Sequence, residues 1–405
     1  NACTVTSSWD CVNGACIDPG TGNGTYASLS ACQTSCGLTP FVSTTPENKN
    51  VILENFSGGI NNGYAPDGDL IAQTLVNNNP GDIFIITIHE GSYATPQGPG
   101  TDFNTSFGSA IAGQTNLGGY PAGTVNRHEF TGLQQNGTGT AMSRGNWSSA
   151  LTQLLPQSSP VNIGIQSSVD MATSTLTVDV EVYYTGSQTI NSNTLNIAVV
   201  QHNVEGPQAG SSSNPSQVLQ NGNYNHQNML RHMLTGQWGE QISTITTGTL
   251  YSNTYSWTMP VDINGVILDP TNISIVAFVS EGNQEILSGT EDYPSVVFVN
   301  SYDANLISAS ATDIMCTTTT DLTVDFKNYG NANLTSLDIE YSVNGDSSTT
   351  YPWNGNLNPG ASETIVIPNI SVNNPSLTNT LDVSLVSPNG QTDQNLLNND
   401  IQCTF

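Results

Sequence analysis

The chain has 405 residues, enough for about three domains, and it is strongly acidic: 32 Asp and Glu residues oppose five Lys and Arg, a formal net charge of -27. So few cations cannot neutralise a run of phosphates, which excludes nucleic acids and anionic membrane surfaces as partners. Charged residues make up only 9% of the chain and hydrophobic residues 36%, a balance typical of β-rich extracellular modules with an uncharged polar surface. No apolar run approaches about 20 residues, so we predict no membrane-spanning segment.

The N-terminal region, residues 1–37, is predicted to be a cysteine-rich disulfide module, because it is too short to build a stable apolar core. Cys32 and Cys36 are four residues apart and would share one face of a short helix, opposite the loop that carries Cys11 and Cys16. We therefore favour the pairs Cys11–Cys36 and Cys16–Cys32, although four cysteines allow three pairings.

Cys3 is left over by this pairing. It is either a free thiol or is bonded to a partner outside these residues, in missing chain or in another subunit, and both interpretations stay open. Cysteines that cluster at the N-terminus, without the histidine spacing of zinc sites, are typical of an oxidising compartment. The sequence therefore predicts a secreted protein.

Residues 38–50 are predicted to be a linker. In residues 51–158 predicted strands alternate with predicted helices, a pattern that indicates right-handed crossovers and a central sheet. The predicted elements in chain order are the strand "NVILENF", the helix "DGDLIAQTLVNN", the buried strand "DIFIITIHEG", the helix "TDFNTSFGSAIAGQT", a strand after "GGYPAG" and the helix "NWSSALTQLL".

From residue 159 the pattern changes to alternating apolar and polar residues, which predicts an antiparallel β-sandwich over 159–301 and an Ig-like β-sandwich over 302–405. The segment "NYNHQNMLRHMLTGQWGEQI" is predicted to interrupt the first sandwich as a helical or irregular loop. A Cys316–Cys403 disulfide would join the first and last strand regions of the second sandwich and stabilise it by roughly 4 kcal/mol.

The phrases "VILENFSG", "PDGDLIAQTL", "IHEGSYATP", "GYPAGTVNR", "LTVDVEVYYT" and "NGNYNHQNMLRHMLTGQWGE" occur in this order. In this combination the chain resembles a Bacteroidetes family named after a twenty-eight-kilodalton outer membrane protein. The resemblance implies a thioredoxin-like domain followed by a β-sandwich, at the outer cell surface. The flanking modules are similar to those of proteins exported by type IX secretion, an association only.

The resemblance also implies a degenerate redox site. This family commonly has Cys-x-x-Cys-Pro where the chain has Asn62, Gly63, Tyr64, Ala65 and Pro66. The cis-proline that faces such a dithiol maps onto Pro121. Thiol exchange needs an attacking thiolate and a resolving thiol, and neither an amide nor a methyl group can replace them. We therefore predict a scaffold without catalytic residues.

Two histidine–carboxylate pairs follow predicted strands: His89 with Glu90, and His128 with Glu129. If both fell at one end of the sheet, they would supply two imidazoles and two carboxylates to a metal. Polar residues at strand ends are more often simply solvated, so we predict no metal site and no cofactor.

The segment with His226, Arg231 and His232 is interpreted as a structural loop at a domain interface. On a helix, His226 and His232 would face different directions, which disfavours a shared ligand. Arg231 is expected to pair with a carboxylate. The chain has no G-x-S-x-G turn, and Ser57 in "FSGG" is expected to hydrogen-bond the turn rather than to attack a substrate.

These observations favour a non-catalytic structural or adhesive protein of the cell surface. As a finer hypothesis, it is a filament subunit whose partners are other copies of itself or cell-surface components. The alternative is an extracellular module that binds glycans or peptides in the groove beside Pro121. An oxidoreductase is disfavoured because the thiols are missing.

Overall fold

The computed structural model of the chain describes residues 8–12, 15–17, 19, 22–27, 31–32, 35–36, 40–188, 190–311, 318–372 and 378–405. The chain forms two compact units, the first from residues 1–168 and 176–295 and the second from 169–175 and 296–405. The predictions for Cys3 and Cys316 fall outside the described residues.

Up to Val297, the described residues form nineteen strands and three α-helices. The strands are β1 (Asp10–Val12), β2 (Ala15–Ile17), β3 (Val51–Phe56), β4 (Ile83–Ile88), β5 (Ala122–Val125), β6 (Met142–Ser143), β7 (Val161–Asp170), β8 (Thr175–Tyr184), β9 (Asn193–Gln201), β10 (Val204–Gly206), β11 (Tyr224–His226), β12 (Met229–Met233), β13 (Glu240–Ile242), β14 (Leu250–Thr258), β15 (Asp262–Ile263), β16 (Val266–Ile267), β17 (Ile273–Ser280), β18 (Ile286–Asp292) and β19 (Ser295–Val297). The helices are α1 (Ala65–Asn78), α2 (Gly108–Gly113) and α3 (Trp147–Leu154).

Two disulfides hold the N-terminal module together. Cys11 is bonded to Cys36 and Cys16 to Cys32, with Cα–Cα distances of 5.6 and 6.0 Å. These are the two pairs that the spacing favours. β1 and β2 form an antiparallel pair beside them. Cross-links and a short ladder thus replace the apolar core that so short a segment cannot build.

Nine strands of the first unit join in one sheet, in the order β18-β17-β9-β12-β4-β3-β5-β6, with β13 beside β9. β3 and β4 run parallel on either side of the α1 crossover, whereas β5 pairs antiparallel with β3. β12 joins β4 where Met229 lies beside Thr87. Strands from both sides of residue 158 therefore share this sheet, and the domain division predicted there does not coincide with a break in it.

Apolar side chains cover both faces of β3 and β4, as their nearly continuous apolar sequences predict. On one face, Val51 and Leu53 pack with α1 and α3, and on the other Ile52 and Phe56 pack with α2 and with β9, β12 and β17. The sheet curls so that β18 returns to β3, where Asn50 donates hydrogen bonds to Ser288 and Gly289. None of the helices in the described part of the chain is long and apolar enough to cross a membrane.

One predicted helix of this unit is shorter than the sequence indicates, and one other prediction is wrong. The second helix covers only Gly108–Gly113, because Asp102 and Thr105 accept hydrogen bonds from nearby backbone N–H groups and so compete with helix formation. The predicted helical or irregular segment around Met229 instead supplies β11 and β12. β12 fills the gap between β4 and β9, so tertiary pairing overrides the local pattern.

The remaining strands of the first part of the chain form smaller sheets. β14, β8, β7 and β19 form a four-stranded sheet in that order, and the β10–β11 and β15–β16 pairs are two-stranded. β7 and β8 lie where the alternating sequence predicts strands.

The second unit contains two antiparallel sheets, β20-β21-β24 and β23-β22-β25-β26, built from the strands β20 (Ala304–Ala311), β21 (Thr319–Asn328), β22 (Leu334–Val343), β23 (Thr349–Leu357), β24 (Ser362–Ser371), β25 (Thr380–Val386) and β26 (Asp400–Thr404). Their apolar faces pack together, with Phe326, Ile339 and Trp353 among the buried side chains. This unit is thus the β-sandwich that the sequence predicts. Cys403 lies in β26 and is a free thiol, so the predicted disulfide from it to Cys316 is wrong.

Candidate functional site

A tight turn connects β3 to α1 and contains the positions that would carry a dithiol. Gly59 has a φ of 93°, and a Cβ there would lie 2.3 Å from the Cα of Ala94, so only glycine fits at this point. Ser57 accepts a hydrogen bond from the Gly59 N–H at 3.1 Å. Ser57 therefore holds the turn, as the sequence analysis expects.

Asn62 occupies the first of the two sulfur positions and is buried. Its Nδ2 donates to the carbonyl of Ser57 at 2.7 Å, and its Oδ1 accepts from the N–H of Tyr64 at 3.1 Å. Its backbone carbonyl accepts from the N–H of Ala65, the second sulfur position, at 3.1 Å. The amide thus satisfies backbone groups of the turn and offers no nucleophile.

Pro121 follows a cis peptide bond and immediately precedes β5. The pairing of Phe56 with Ala122 brings it to the end of β3, and a Cβ at Gly68 would lie 3.2 Å from its ring. Pro121 is therefore packed against the first turns of α1, which begins with Ala65 and Pro66. The structure brings the predicted degenerate redox positions to the same end of the sheet.

The segment after β10 covers this turn. Gln208 donates from Nε2 to the carbonyl of Asn62 at 3.0 Å, and the N–H of Ala209 donates to the carbonyl of Ile60 at 2.8 Å. Gly210 lies so close that a Cβ there would be 2.0 Å from the carbonyl oxygen of Gly63. We call residues 207–214 the covering loop. The sequence analysis did not predict that it lies here.

Tyrosine rings and one ion pair form the exposed surface beside the turn. Tyr64 and Tyr93 are 66% and 49% exposed. Arg144 bonds to Asp67, and its guanidinium carbon lies 5.6 Å from the centre of the Tyr64 ring. This surface offers rings and one ion pair for contacts but no catalytic base next to a nucleophile.

Two buried histidines pack against each other behind the turn. The rings of His89 and His226 are 5.3 Å apart, and both contact Phe103. Burial lowers the pKa of His89 well below its usual range, and the charge of Arg231 and that of His226 when it is protonated lower this pKa further. Burial lowers the pKa of His226 to about 4. Both imidazoles are therefore neutral at pH 7, which makes them packing groups there.

Arg231 does not pair with a carboxylate, so that expectation is wrong. Its guanidinium is 1% exposed and donates to the backbone carbonyls of Val266 at 2.8 Å and Ile263 at 3.3 Å. It thus ties β12 to the β15–β16 hairpin. His232 stacks on Trp257 with ring centres 4.3 Å apart, away from His226.

The two predicted histidine–carboxylate pairs do not meet. His128 bonds to Glu285 through Nδ1 at 2.6 Å and is 39% exposed, whereas His89 is buried against His226. Among the residues that the structure describes, the one set of converging metal-ligand atoms is Cys16, Cys32 and Cys36, whose sulfurs are in disulfides.

The disulfide module, the curled mixed sheet and the antiparallel sandwich define a multidomain, β-rich protein in which the turn between β3 and α1 is held by the buried amide of Asn62. Residues 109–296, a little under half of the chain, match the family model for outer membrane protein Omp28, so the expected resemblance to that family is confirmed over these residues. No curated protein matches the chain.

Solved structures similar to the chain include two proteins from Porphyromonas gingivalis. HBP35 is 13% identical over 89% of this chain and 98% of its own, with a TM-score of 0.48. A domain of the outer membrane lipoprotein Omp28 is 16% identical over 34% of this chain and 90% of its own, with a TM-score of 0.23. Because both TM-scores are below 0.5, the fold described above rests on the chain's own geometry.

Proposed function

We propose that the chain is a non-catalytic structural or adhesive protein of the outer cell surface, exported by type IX secretion. It is built from a cysteine-rich module, a redox-inactive thioredoxin-like domain whose sheet continues into β9, β12, β17 and β18, and a C-terminal immunoglobulin-like β-sandwich. The observation that carries the proposal is the buried amide of Asn62, which hydrogen-bonds the turn where exchange chemistry would need a thiolate.

The thioredoxin-like assignment is supported by local topology. A parallel β3–α1–β4 unit is followed by a cis-proline that opens the antiparallel strand β5. The surface location is supported by the description of the matched family as an outer membrane protein and by the two disulfides, which persist in oxidising compartments.

Edge strands support assembly with other copies. β14 and β24 lie at sheet edges and contain 9 and 10 residues, long enough for another strand to pair with them. Partners of the same chemistry, either second copies or other surface β-proteins, would add to these edges.

Light scattering and electron microscopy of native material test the assembly. We expect extended particles that shorten in Val366→Lys, because lysine on the edge strand β24 opposes strand addition. Val261→Lys is the matched control, since Val261 is also exposed but lies outside the strands. If wild-type material contained only compact monomers, the filament role would be excluded and the adhesive role would stay.

The alternative is a module that binds peptides or glycans beside Pro121. The exposed rings of Tyr64 and Tyr93 favour it, because exposed aromatic side chains are common in recognition surfaces. A peptide and glycan array would show binding that Tyr64→Ala abolishes. Absence of any ligand on the array would count against this alternative.

A further inference from the structure

A polar groove lies beside α1. It consists of two adjoining depressions that share Gln73, Ile85, Gln227 and Asn228. The wider depression has a volume of about 220 Å³, and the narrower one about 20 Å³. We call this feature the α1 groove. The wider depression has room for about one sugar ring, whereas the narrower one can receive only a group the size of a hydroxyl.

The narrow end of the α1 groove contains a buried amide with an unused acceptor. Asn55 is 1% exposed and donates from Nδ2 to Asp69 at 2.9 Å, but its Oδ1 has no hydrogen-bond partner among the described residues. Asp69 also accepts from the hydroxyl of Tyr224 at 3.1 Å. Because a buried carbonyl oxygen without a donor is costly, the narrow end is built to receive a hydroxyl or amide proton.

The wide end presents an exposed aromatic ring. Tyr293 is 65% exposed and stacks on His202 with ring centres 5.6 Å apart and an interplanar angle of 26°. Ser274 lies 2.9 Å from Nε2 of His202 and donates to Glu291 at 2.6 Å. These hydrogen bonds fix His202 below Tyr293, so the outer face of the tyrosine is a supported platform rather than a free side chain.

The lining chemistry selects the ligand class. Neither depression is lined by Lys or Arg, while Asp69 and Glu291 contribute carboxyl groups and the other polar residues are mostly Asn and Gln. An anionic ligand would be repelled here, and more so by a chain of net charge -27. Side-chain amides both donate and accept, which matches the hydroxyls of a sugar. The exposed tyrosine matches the apolar face of a pyranose ring.

We propose that the α1 groove binds a neutral oligosaccharide, with one pyranose ring on Tyr293 and a hydroxyl of a neighbouring ring donating to Oδ1 of Asn55. This ligand deepens the adhesive part of the proposed function and rests on it. The groove is separate from the surface beside Pro121, because its lining includes neither that proline nor Tyr64.

Calorimetric titration of the purified full chain tests the proposal, with cellohexaose, mannohexaose and chitohexaose as neutral probes and a galacturonic acid hexamer as the anionic probe. We expect one neutral probe to bind and the anionic one not to bind. Tyr293→Ala should weaken that binding by about tenfold or more, the scale of a lost aromatic stack. Leu397→Ala is the control, since Leu397 is 95% exposed and lines neither depression, and it should leave binding unchanged.

The proposal is overturned by any of three results. These are no binding of a neutral probe at millimolar concentration, tighter binding of the galacturonic acid hexamer, or equal effects of Tyr293→Ala and Leu397→Ala. A crystal structure with only a water molecule on Asn55 after soaking would likewise overturn it. Particle size and cell attachment of Tyr293→Ala are measured in parallel. If the titrations show no binding of a neutral probe while particle size and cell attachment are those of the wild type, the proposed glycan site is refuted and the proposed structural role is not.

Discussion

The buried ion pair between Glu54 and Arg127 gives the sharpest stability prediction. Both side chains are 1% exposed, and Nη2 of Arg127 lies 2.6 Å from Oε1 of Glu54. Thr124 donates to the other carboxylate oxygen at 2.8 Å, and the guanidinium lies 5.3 Å from the centre of the Phe278 ring. The substitution Glu54→Gln keeps the shape of the side chain but leaves the arginine charge buried without a counter-charge.

Breaking a buried pair by removing one partner costs about 3–5 kcal/mol, and we expect the lower end because glutamine can keep the hydrogen bond from Thr124. The matched control is Asp67→Asn, which breaks the pair with Arg144. Those side chains are 41% and 28% exposed, and such surface pairs contribute about 0–1 kcal/mol. Glu54→Gln and Asp67→Asn each replace a carboxylate of an ion pair by an amide, and burial predicts a severalfold larger loss in free energy of unfolding for Glu54→Gln.

Hydrogen exchange with mass spectrometry over a urea series measures the effect in each unit separately. In Glu54→Gln, peptides from β3 and β5 should lose protection by roughly 100-fold at a fixed urea concentration, whereas peptides from β21 and β22 in the second unit should not change. If Glu54→Gln and Asp67→Asn lower the free energy of unfolding by the same small amount, the reasoning from burial is wrong.

Three further predictions concern the histidines, the disulfides and the covering loop. Burial lowers the pKa of His226 from 6.5 to about 4, so the stability that its neutral form contributes is complete above pH 6.5 and is lost as the pH falls towards 4. Between pH 7 and 4.5, the Tm of His226→Gln should therefore fall less than the Tm of the wild type. Curves of Tm against pH that run parallel for the two proteins would contradict this. The double substitution Cys16→Ser/Cys32→Ser removes one disulfide and should destabilise the N-terminal module by about 3 kcal/mol. The module should then be digested faster by a protease, and an unchanged rate of proteolysis would contradict this prediction. Gly210→Ala should speed hydrogen exchange in residues 57–66, because the new Cβ would clash with Gly63. The control is Gly222→Ala, which is also at positive φ but has no atom within 4 Å of the new Cβ, and it should leave this exchange unchanged. Equal effects of the two substitutions would mean that the covering loop does not protect the turn from solvent.

Local patterns in the sequence predict much of the architecture. The disulfide pairing follows from a four-residue spacing, α1 and α3 from helical periodicity, and β4 from an apolar run bounded by turn residues. The second unit follows from alternation and regular turns. In each case the information lies within a few residues, which is the range over which periodicity and spacing are informative.

Long-range contacts account for what the sequence did not reveal. The covering loop meets the turn at Gly63 only because β11 and β12 return the chain to the sheet. The Glu54–Arg127 pair and the exposed Tyr293 beside Asn55 likewise join positions far apart in sequence. The apolar residues of the segment with β12 do not alternate with polar ones, so its sequence does not predict a strand. Its strand conformation comes from the neighbours that it pairs with.

The most direct test of an inert turn is Asn62→Ala, measured for both stability and disulfide exchange with insulin. Because this substitution removes two hydrogen bonds inside a buried turn, we predict a loss of about 1–3 kcal/mol. We also predict no insulin reduction above buffer in either wild type or variant. An exchange rate that is present in wild type and disappears in the variant, at unchanged stability, would contradict the account and make Asn62 part of a reactive site.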